Sequence, residues 1–186
     1  MENTKLSKEE LWPEKLPNSF INRAKETVRY LVDEPLLGRI ADCGEDNPMK
    51  YYIQKSFGLT IDSLDWDFNK EHNLTGLKRY DVIFCFEVLE HVMNPLLFLN
   101  KLKEILKEDG TIYLSTPYQR PQCLKAIHHY HEIPDDRILW LFESAGLEVI
   151  SKTKITIAGN WYDHIKGIRP FLRYFQKTRM YKLKYK

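Results

Sequence analysis

The chain has 186 residues, of which 43% are hydrophobic, 13% aromatic and 29% charged, a composition typical of one globular domain and unlike that of a disordered or fibrous protein. Its 28 Lys and Arg residues against 26 Asp and Glu residues give a formal net charge of +2, which by itself indicates neither a nucleic-acid-coating protein nor an acidic one. No run approaches the roughly 18 apolar residues that span a bilayer, and the N-terminus lacks the apolar core of a signal peptide, so we expect a cytoplasmic protein.

The first half of the chain predicts alternating helices and strands. Apolar residues at helical spacing predict an amphipathic helix over 17–33, and a short run at 39–43 that ends at Gly44 predicts a strand feeding a turn. A helix is then expected over 48–56 and a second strand over 59–65. The segment 80–88 is apolar almost throughout, which is typical of a parallel strand that is covered on both faces.

The second half continues the alternation. Asn94 and Pro95 form a cap and a first helical turn, and leucines at helical spacing predict a helix that continues until Gly110. A strand over 111–115, a helix over 134–145 and a strand over 147–155 follow. The whole pattern predicts an α/β, Rossmann-like, doubly wound and mostly parallel sheet with helices on both faces. Such sheets bind ligands beyond the carboxyl ends of their strands.

The turn after the first predicted strand favours a ligand that contains a ribose. Asp65 lies 21 positions after Gly44, at the end of the second predicted strand, where a carboxylate can accept hydrogen bonds from both ribose hydroxyls. The G-x-G-x-x-G pattern is absent, so the helix N-terminus is poorly suited to a pyrophosphate. A cofactor with a ribose and no phosphate fits better than a dinucleotide.

The segment 80–92, followed by Asn94-Pro95, resembles the fourth-strand signature of class I S-adenosylmethionine-dependent methyltransferases, of the small type 11 and type 23 kind. The resemblance extends in the same order through 102–106, 109–110, 112–117 and 144–149, and covers roughly 39–155. It implies S-adenosylmethionine as cofactor and S-adenosylhomocysteine as product. It also implies an antiparallel strand near the C-terminus, for which 180–184 alternates suitably.

Two departures from that family are visible. The glycine motif D-x-G-x-G-x-G would run over 42–48, where only Gly44 remains; Asp46 adds a negative charge and Pro48 removes a donor. Only 21 residues separate Leu59 from Tyr80, fewer than the roughly 25 that a strand, a helix and a strand need, so we expect a shortened connection between the second and fourth strands of the family.

The resemblance also implies the roles of particular residues around the cofactor. Asp65 is assigned to the ribose, Trp66 to the adenine face, and Asp67 or Phe68 to the adenine edge. The residues assigned to the methionine end of the cofactor are Asp42, Gly44, Phe86 and Glu87. Glu90 and His91 are interpreted as capping the next helix and holding the loop rather than as catalytic groups.

Methyl transfer depends mainly on alignment of the acceptor with the methyl group, and a hydroxyl acceptor also benefits from a general base. The candidates lie where the family's substrate loop follows strand five: Tyr118, His128, His129 and His131. Three imidazoles so close together also suit zinc or nickel. No nearby carboxylate or cysteine completes a ligand set, so ordinary loop histidines are favoured and no metal site is predicted.

The C-terminal end is basic, with eight Lys or Arg residues and one Asp between Tyr162 and Lys186. Aromatic residues and cations interleave over 161–177. Solvated cations on structural elements are the favoured interpretation, with contact to an anionic membrane surface or to nucleic acid as alternatives.

We therefore expect a single domain over 1–186, with an N-terminal helical segment (1–38), a cofactor-binding core (39–158) and a basic aromatic segment (159–186). The favoured function is methyl transfer from S-adenosylmethionine to a small-molecule or saccharide-type acceptor, with nucleic acid not expected as a partner. Two alternatives stay open: a methyltransferase-like binding or scaffold module that has lost catalysis, and an RNA methyltransferase.

Overall fold

The computed structural model describes residues 16, 18–70, 78–119, 127–156 and 177–186. In chain order the elements are α1 (Asn18–Leu31), β1 (Ile40–Cys43), α2 (Pro48–Phe57), β2 (Ile61–Leu64), β3 (Tyr80–Phe86), a 3₁₀ turn (Leu89–His91), α3 (Pro95–Ile105), β4 (Leu106–Pro117), α4 (Asp135–Ser144), β5 (Leu147–Thr156) and β6 (Lys177–Tyr185).

The six strands form one mixed sheet in the order β2-β1-β3-β4-β6-β5. The first four strands in this order run parallel to one another, and β6 runs antiparallel to both β4 and β5. This confirms the predicted mostly parallel sheet with an antiparallel strand near the C-terminus. The last strand in the chain fills the gap between β4 and β5 rather than extending an edge.

Helices cover both faces of the sheet, as predicted. Along β3, Phe84 packs into a core cluster with residues of α1 and α2, whereas Ile83 and Cys85 pack on the other side with residues of α3 and α4. All three side chains are fully buried. The continuous apolar run of β3 therefore reflects burial on two faces. Cys43 and Cys85 are buried free thiols.

The end of α3 differs from the prediction. The helix ends at Ile105 and not at Gly110, because Leu106 already pairs with Tyr80 of β3. The register then shifts before Thr111 pairs with Val82. The intervening residues form an irregular part of β4, where Lys107 makes an ion pair with Asp81 (2.9 Å). Pairing with β3 therefore ends the helix one turn earlier than the helical spacing of the leucines predicts.

The connection from β2 to β3 has no helix among its described residues, 65–70 and 78–79, in agreement with the predicted shortening. Residues 71–77 of that connection lie outside the described part. Cys123 and residues 157–176, which include most of the basic aromatic segment, also lie outside it. Within the part of the chain that is described, no helix is long and apolar enough to cross a membrane.

Arg179 in β6 is an exception to the interpretation of the basic end as solvated cations, because its side chain is fully buried. Its guanidinium bonds Asp135 Oδ1 (2.7 Å), the Pro117 carbonyl (2.8 Å) and the Ile133 carbonyl (2.8 Å). An interior strand leaves no room for a solvated side chain at this position. The guanidinium instead joins the end of β4 to the start of α4.

We expect Arg179→Met to lower the free energy of unfolding by about 3 kcal/mol. The substitution leaves the Pro117 and Ile133 carbonyls without this donor, and it removes one of the two cations that pair with Asp135, the other being Lys152. Urea unfolding followed by circular dichroism measures the change. Lys186→Met is the matched control, since its ion pair with Glu143 is exposed and its loss should have no measurable effect. Equal stability of the Arg179→Met variant and the unmodified chain would contradict this account.

Candidate functional site

A cavity of about 550 Å³ opens where β1 and β3 end. This size lies in the range of small-molecule binding sites. Its walls come from α1, from the turn between β1 and α2, from the turn after β3 and from the segment before α4. The lining residues are Phe20, Arg23, Asp42, Cys43, Gly44, Glu45, Asp46, Asn47, Pro48, Met49, Phe86, Glu87, Val88, Glu90, His91 and His129.

The turn after β1 leaves space for a ligand at Gly44. Its φ of +116° strongly favours glycine, and a Cβ built there meets nothing within 4 Å. The Gly44 amide donates to the Leu64 carbonyl (2.9 Å), so the turn is tied to the end of β2. Asp65, which follows Leu64 in the chain, is exposed at the same edge of the sheet.

The two replaced glycines have compensating contacts. The Lys50 ammonium makes an ion pair with Asp46 (2.8 Å) and also bonds the Ser63 hydroxyl. Pro48 takes the first position of α2, where the missing N–H has no helical partner in any case. Asn47 caps that helix by accepting from the Lys50 amide (2.9 Å). The altered turn is therefore a well-formed helix start whose added charge is paired.

Asp42 lies under this turn with 4% of its surface exposed. Burial raises the pKa of Asp42 to about 7, against the opposing effects of the hydrogen bond from Asn47 (2.8 Å) and of the nearby Lys50 charge. This carboxyl therefore holds a proton over a much wider pH range than an exposed aspartate does.

The turn after β3 has a strained backbone at Glu87, whose φ is +57°. Conformations of this kind in residues other than glycine concentrate at functional sites. The Glu87 carboxylate accepts from the Ser115 hydroxyl (2.9 Å) and from Arg23 Nη1 (3.2 Å). Arg23 Nε is buried without a hydrogen-bond partner among the described residues. The cavity thus has an ion pair on one wall, with one arginine donor unused.

Glu90 follows in the 3₁₀ turn and is 1% exposed. Burial, and after it the charge of Glu87, raises the pKa of Glu90 to about 9. The expectation that its side chain caps the next helix is wrong, because Asn94 caps α3 by accepting from the Leu97 amide (3.0 Å). Glu90 instead holds the loop through its backbone carbonyl, which accepts from the amides of Tyr130 (2.9 Å) and His131 (3.3 Å).

The predicted site residues separate into two groups. Those that line the cavity are Asp42, Gly44, Phe86, Glu87 and His129. The remaining ones do not appear in its walls: Asp65, Trp66, Asp67, Phe68, Tyr118, His128 and His131.

The second group makes contacts of its own. Trp66 and Phe68 pack against the core on the α3 side, with the Phe68 ring 4.9 Å from that of Phe98. Tyr118 lies under the Arg179 guanidinium, and His131 Nε2 is 3.2 Å from the Met93 carbonyl oxygen. The His128 side chain is exposed.

Sequence reasoning missed the contribution of α1. Phe20 and Arg23 line the cavity although they precede the first strand by more than fifteen positions. The amphipathic pattern predicted the helix. Nothing in the sequence distinguished Arg23, which lines the cavity, from a solvated arginine on the polar side of the same helix. The assembly of Glu90 and His91 with His129 was also missed, since it depends on how the loop before α4 folds back.

The comparisons with known proteins bear on the family and the fold. A model of the methyltransferase domain family matches residues 43–152. The ubiquinone biosynthesis O-methyltransferase of Glaesserella parasuis is 48% identical over 50 residues, covering 27% of this chain and 21% of that protein. The protein of the same name from Dinoroseobacter shibae is 28% identical over 129 residues, covering 60% of this chain and 51% of that protein. The chain thus matches about a fifth to a half of the length of these curated relatives.

A solved structure gives the same fold. The plantazolicin methyltransferase BpumL, in complex with a triazolic desmethylPZN analog and SAH, matches with a TM-score of 0.57 at 14% sequence identity. The match covers 92% of this chain and 87% of that chain. At this level of identity the similarity shows the architecture alone.

The raised pKa of Asp42 predicts a specific dependence of stability on pH. Between about pH 4 and pH 7 the folded chain holds a proton on Asp42 that the unfolded chain releases, so this group costs stability as the pH rises, by at most about 1.4 kcal/mol per pH unit. Asp42→Asn removes that loss. Urea unfolding of both chains at pH 5 and pH 8 should show the variant gaining stability relative to the unmodified chain at the higher pH.

Asp65→Asn, which removes an exposed carboxylate near the same turn, is the matched control for this comparison. A stability difference between the Asp42→Asn variant and the unmodified chain that is the same at both pH values would show that Asp42 ionises as it does in the unfolded chain.

Proposed function

The chain belongs to the methyltransferase domain family, and from this membership we propose that it transfers a methyl group from S-adenosylmethionine to a hydroxyl oxygen of a small molecule. The family match covers more than half of the chain and confirms the resemblance drawn from the segment 80–92. The names of the curated relatives, ubiquinone biosynthesis O-methyltransferases, support an oxygen acceptor on a small molecule.

The single observation that best supports the proposal is the open Gly44 turn at the carboxyl end of β1. Ligands of doubly wound sheets bind at this edge, and the empty space beside Gly44 lets a ligand approach the backbone closely. Because the Gly44 amide binds the Leu64 carbonyl, Asp65 lies next to the turn, where its carboxylate can accept both ribose hydroxyls. Trp66 follows at once and is our candidate for the adenine face, with Asp67 or Phe68 at its edge.

The charges of the cavity suit the methionine end of the cofactor. Bound S-adenosylmethionine supplies a methyl group on a positively charged sulfur. Glu87, held by Ser115 and Arg23, places a negative charge near that position, which favours a cation in a partly desolvated cleft. Arg23, which lines the cavity, is our candidate for binding the carboxylate of the cofactor. The ion pair between Asp46 and Lys50 offsets the added acidic charge of the altered glycine turn.

The acceptor is placed on the side of the cavity formed by the 3₁₀ turn. Of the four catalytic candidates, only His129 is among the residues that line the cavity. Its Nδ1 bonds the buried Glu132 carboxylate (2.9 Å), which fixes the ring. The acceptor hydroxyl therefore lies beside His129 in our proposal, and methyl transfer proceeds mainly by alignment of acceptor and donor.

Calorimetric titration with S-adenosylmethionine, and separately with S-adenosylhomocysteine, tests the cofactor assignment. We expect micromolar binding of either ligand, about −8 kcal/mol, to the unmodified chain. Asp65→Ala should weaken both affinities at least tenfold, since two hydrogen bonds to a carboxylate are lost. Asp136→Ala, which removes an exposed carboxylate of α4 outside the cavity, is the matched control and should leave both unchanged.

The outcomes separate the candidate functions. Absence of binding at millimolar ligand would favour the module that has lost catalysis, because the altered glycine turn would then exclude the cofactor. Normal binding by Asp65→Ala would show that the ribose acid is misplaced. Binding together with transfer of labelled methyl groups to hydroxylated small molecules, and none to RNA, completes the support for the proposal.

A further inference from the structure

Three metal-binding side chains meet at one wall of the cavity. Glu90, His91 and His129 each offer a ligand atom, and these atoms all lie within 4.8 Å of one another. The two imidazole rings pack edge to face with their centroids 4.9 Å apart. Two of these residues come from the 3₁₀ turn after β3, and the third comes from the segment before α4.

The two histidines are oriented as metal ligands are. The other ring nitrogen of a metal-binding histidine usually donates to a carbonyl or a carboxylate, which fixes the ring. His91 Nδ1 is 2.9 Å from the His128 carbonyl oxygen, and His129 Nδ1 is 2.9 Å from Glu132 Oε1. Both contacts occupy Nδ1, so Nε2 is the nitrogen that each ring has available for an ion.

Glu90 supplies an independent observation. Its side chain is buried, and neither carboxylate oxygen has a hydrogen-bond partner among the described residues. Burying a carboxyl group without a hydrogen-bond partner costs free energy. Nearly all buried polar groups in proteins are therefore hydrogen-bonded, and buried charges are paired or bind a metal ion. The unsatisfied oxygens belong to the same three-residue cluster as the two available imidazole nitrogens.

We propose that Glu90, His91 and His129 bind one divalent transition-metal ion, with zinc and manganese as the representative cations. One carboxylate and two imidazoles form a donor set that suits these ions, whereas Mg²⁺ and Ca²⁺ prefer oxygen ligands alone. Three protein ligands leave coordination positions open, and all three residues line the cavity. If the proposed function holds, the ion contacts the oxygen of the methyl acceptor, which limits acceptors to molecules with a cation-binding hydroxyl.

This ligand set differs from the one that sequence reasoning considered. In the sequence, His128, His129 and His131 stand together, and no carboxylate was expected to complete them as ligands. In the structure the His128 side chain is exposed, and His131 Nε2 faces the Met93 carbonyl (3.2 Å). Only His129 of the three joins the cluster, and its partners come from a segment more than thirty-five positions earlier.

Calorimetric titration of the EDTA-dialysed protein with Zn²⁺ and with Mn²⁺ tests the proposal, and Co²⁺ absorption in the visible range reports the ligands directly. We expect one ion per chain, and at least about 100-fold weaker binding for His91→Ala and for Glu90→Gln. His91 is exposed, so its variant should keep the fold even where substitution of the buried Glu90 does not; far-ultraviolet circular dichroism checks both.

His131→Ala is the matched control, because it removes a neighbouring imidazole outside the cluster and should change the affinity less than about twofold. Glu132→Gln, which keeps the size but not the charge of the partner of His129, should weaken binding by about 10-fold to 100-fold. Absence of ion binding by the folded protein, or equal binding by the His91→Ala and His131→Ala variants, would overturn the proposal.

The metal titration contains neither cofactor nor acceptor, so its result is independent of the proposed function. Titration of the EDTA-treated protein with S-adenosylhomocysteine tests cofactor binding separately from metal binding. Cofactor binding without ion binding overturns the metal site and leaves the methyltransferase assignment standing. Ion binding without cofactor binding supports the metal site and overturns the proposed methyltransferase function.

Discussion

The burial of β3 on both faces, between the parallel neighbours β1 and β4, is the constraint on which the rest of the structure depends. Ladder hydrogen bonds on both sides keep Asp42 level with Phe84, and Ser115 level with Phe86. The side chains of β3 are apolar from Val82 to Phe86, and polar groups begin at Glu87. The parallel register therefore brings the ends of three strands to one level, and the cavity forms where the apolar core stops.

Two contacts close this edge into a cavity. The ion pair between Glu87 and Arg23 brings α1 against the end of β3, and the Glu90 carbonyl draws the segment before α4 back through the amides of Tyr130 and His131. The second contact is made by the backbone, so it specifies the path of the loop without specifying its side chains. That path is what places His129 beside His91, and it explains how residues far apart in sequence share one wall.

The sequence predicted most of the sheet because its signals are local: apolar runs, caps and turn residues lie within a few positions of the structure they specify. The end of α3 was misplaced because pairing of Leu106 with Tyr80 is a contact between strands and overrides helical spacing. Arg179 was misinterpreted for a related reason, since only the position of β6 between β4 and β5 makes this cation an interior one. For the site, the cavity residues at the ends of β1 and β3 were predictable from their place at the carboxyl ends of strands, whereas residues 65–68 after β2 do not appear in the cavity walls. Arg23 and the cluster at Glu90 depend on packing between distant segments.

The cavity is lined by an excess of acidic residues. Five of its lining residues are acidic, Asp42, Glu45, Asp46, Glu87 and Glu90, against the single arginine Arg23. The protein offsets part of this excess itself, through Lys50 on Asp46, Arg23 on Glu87 and a proton on Asp42 below about pH 7. The carboxyl group of Glu90 has no hydrogen-bond partner among the described residues, and below about pH 9 a proton keeps it neutral. In the two proposals above, the sulfonium of the cofactor faces the Glu87 carboxylate and a divalent ion takes the place of the proton on Glu90. Each cation would thus be matched to an acidic group that the protein otherwise neutralises itself.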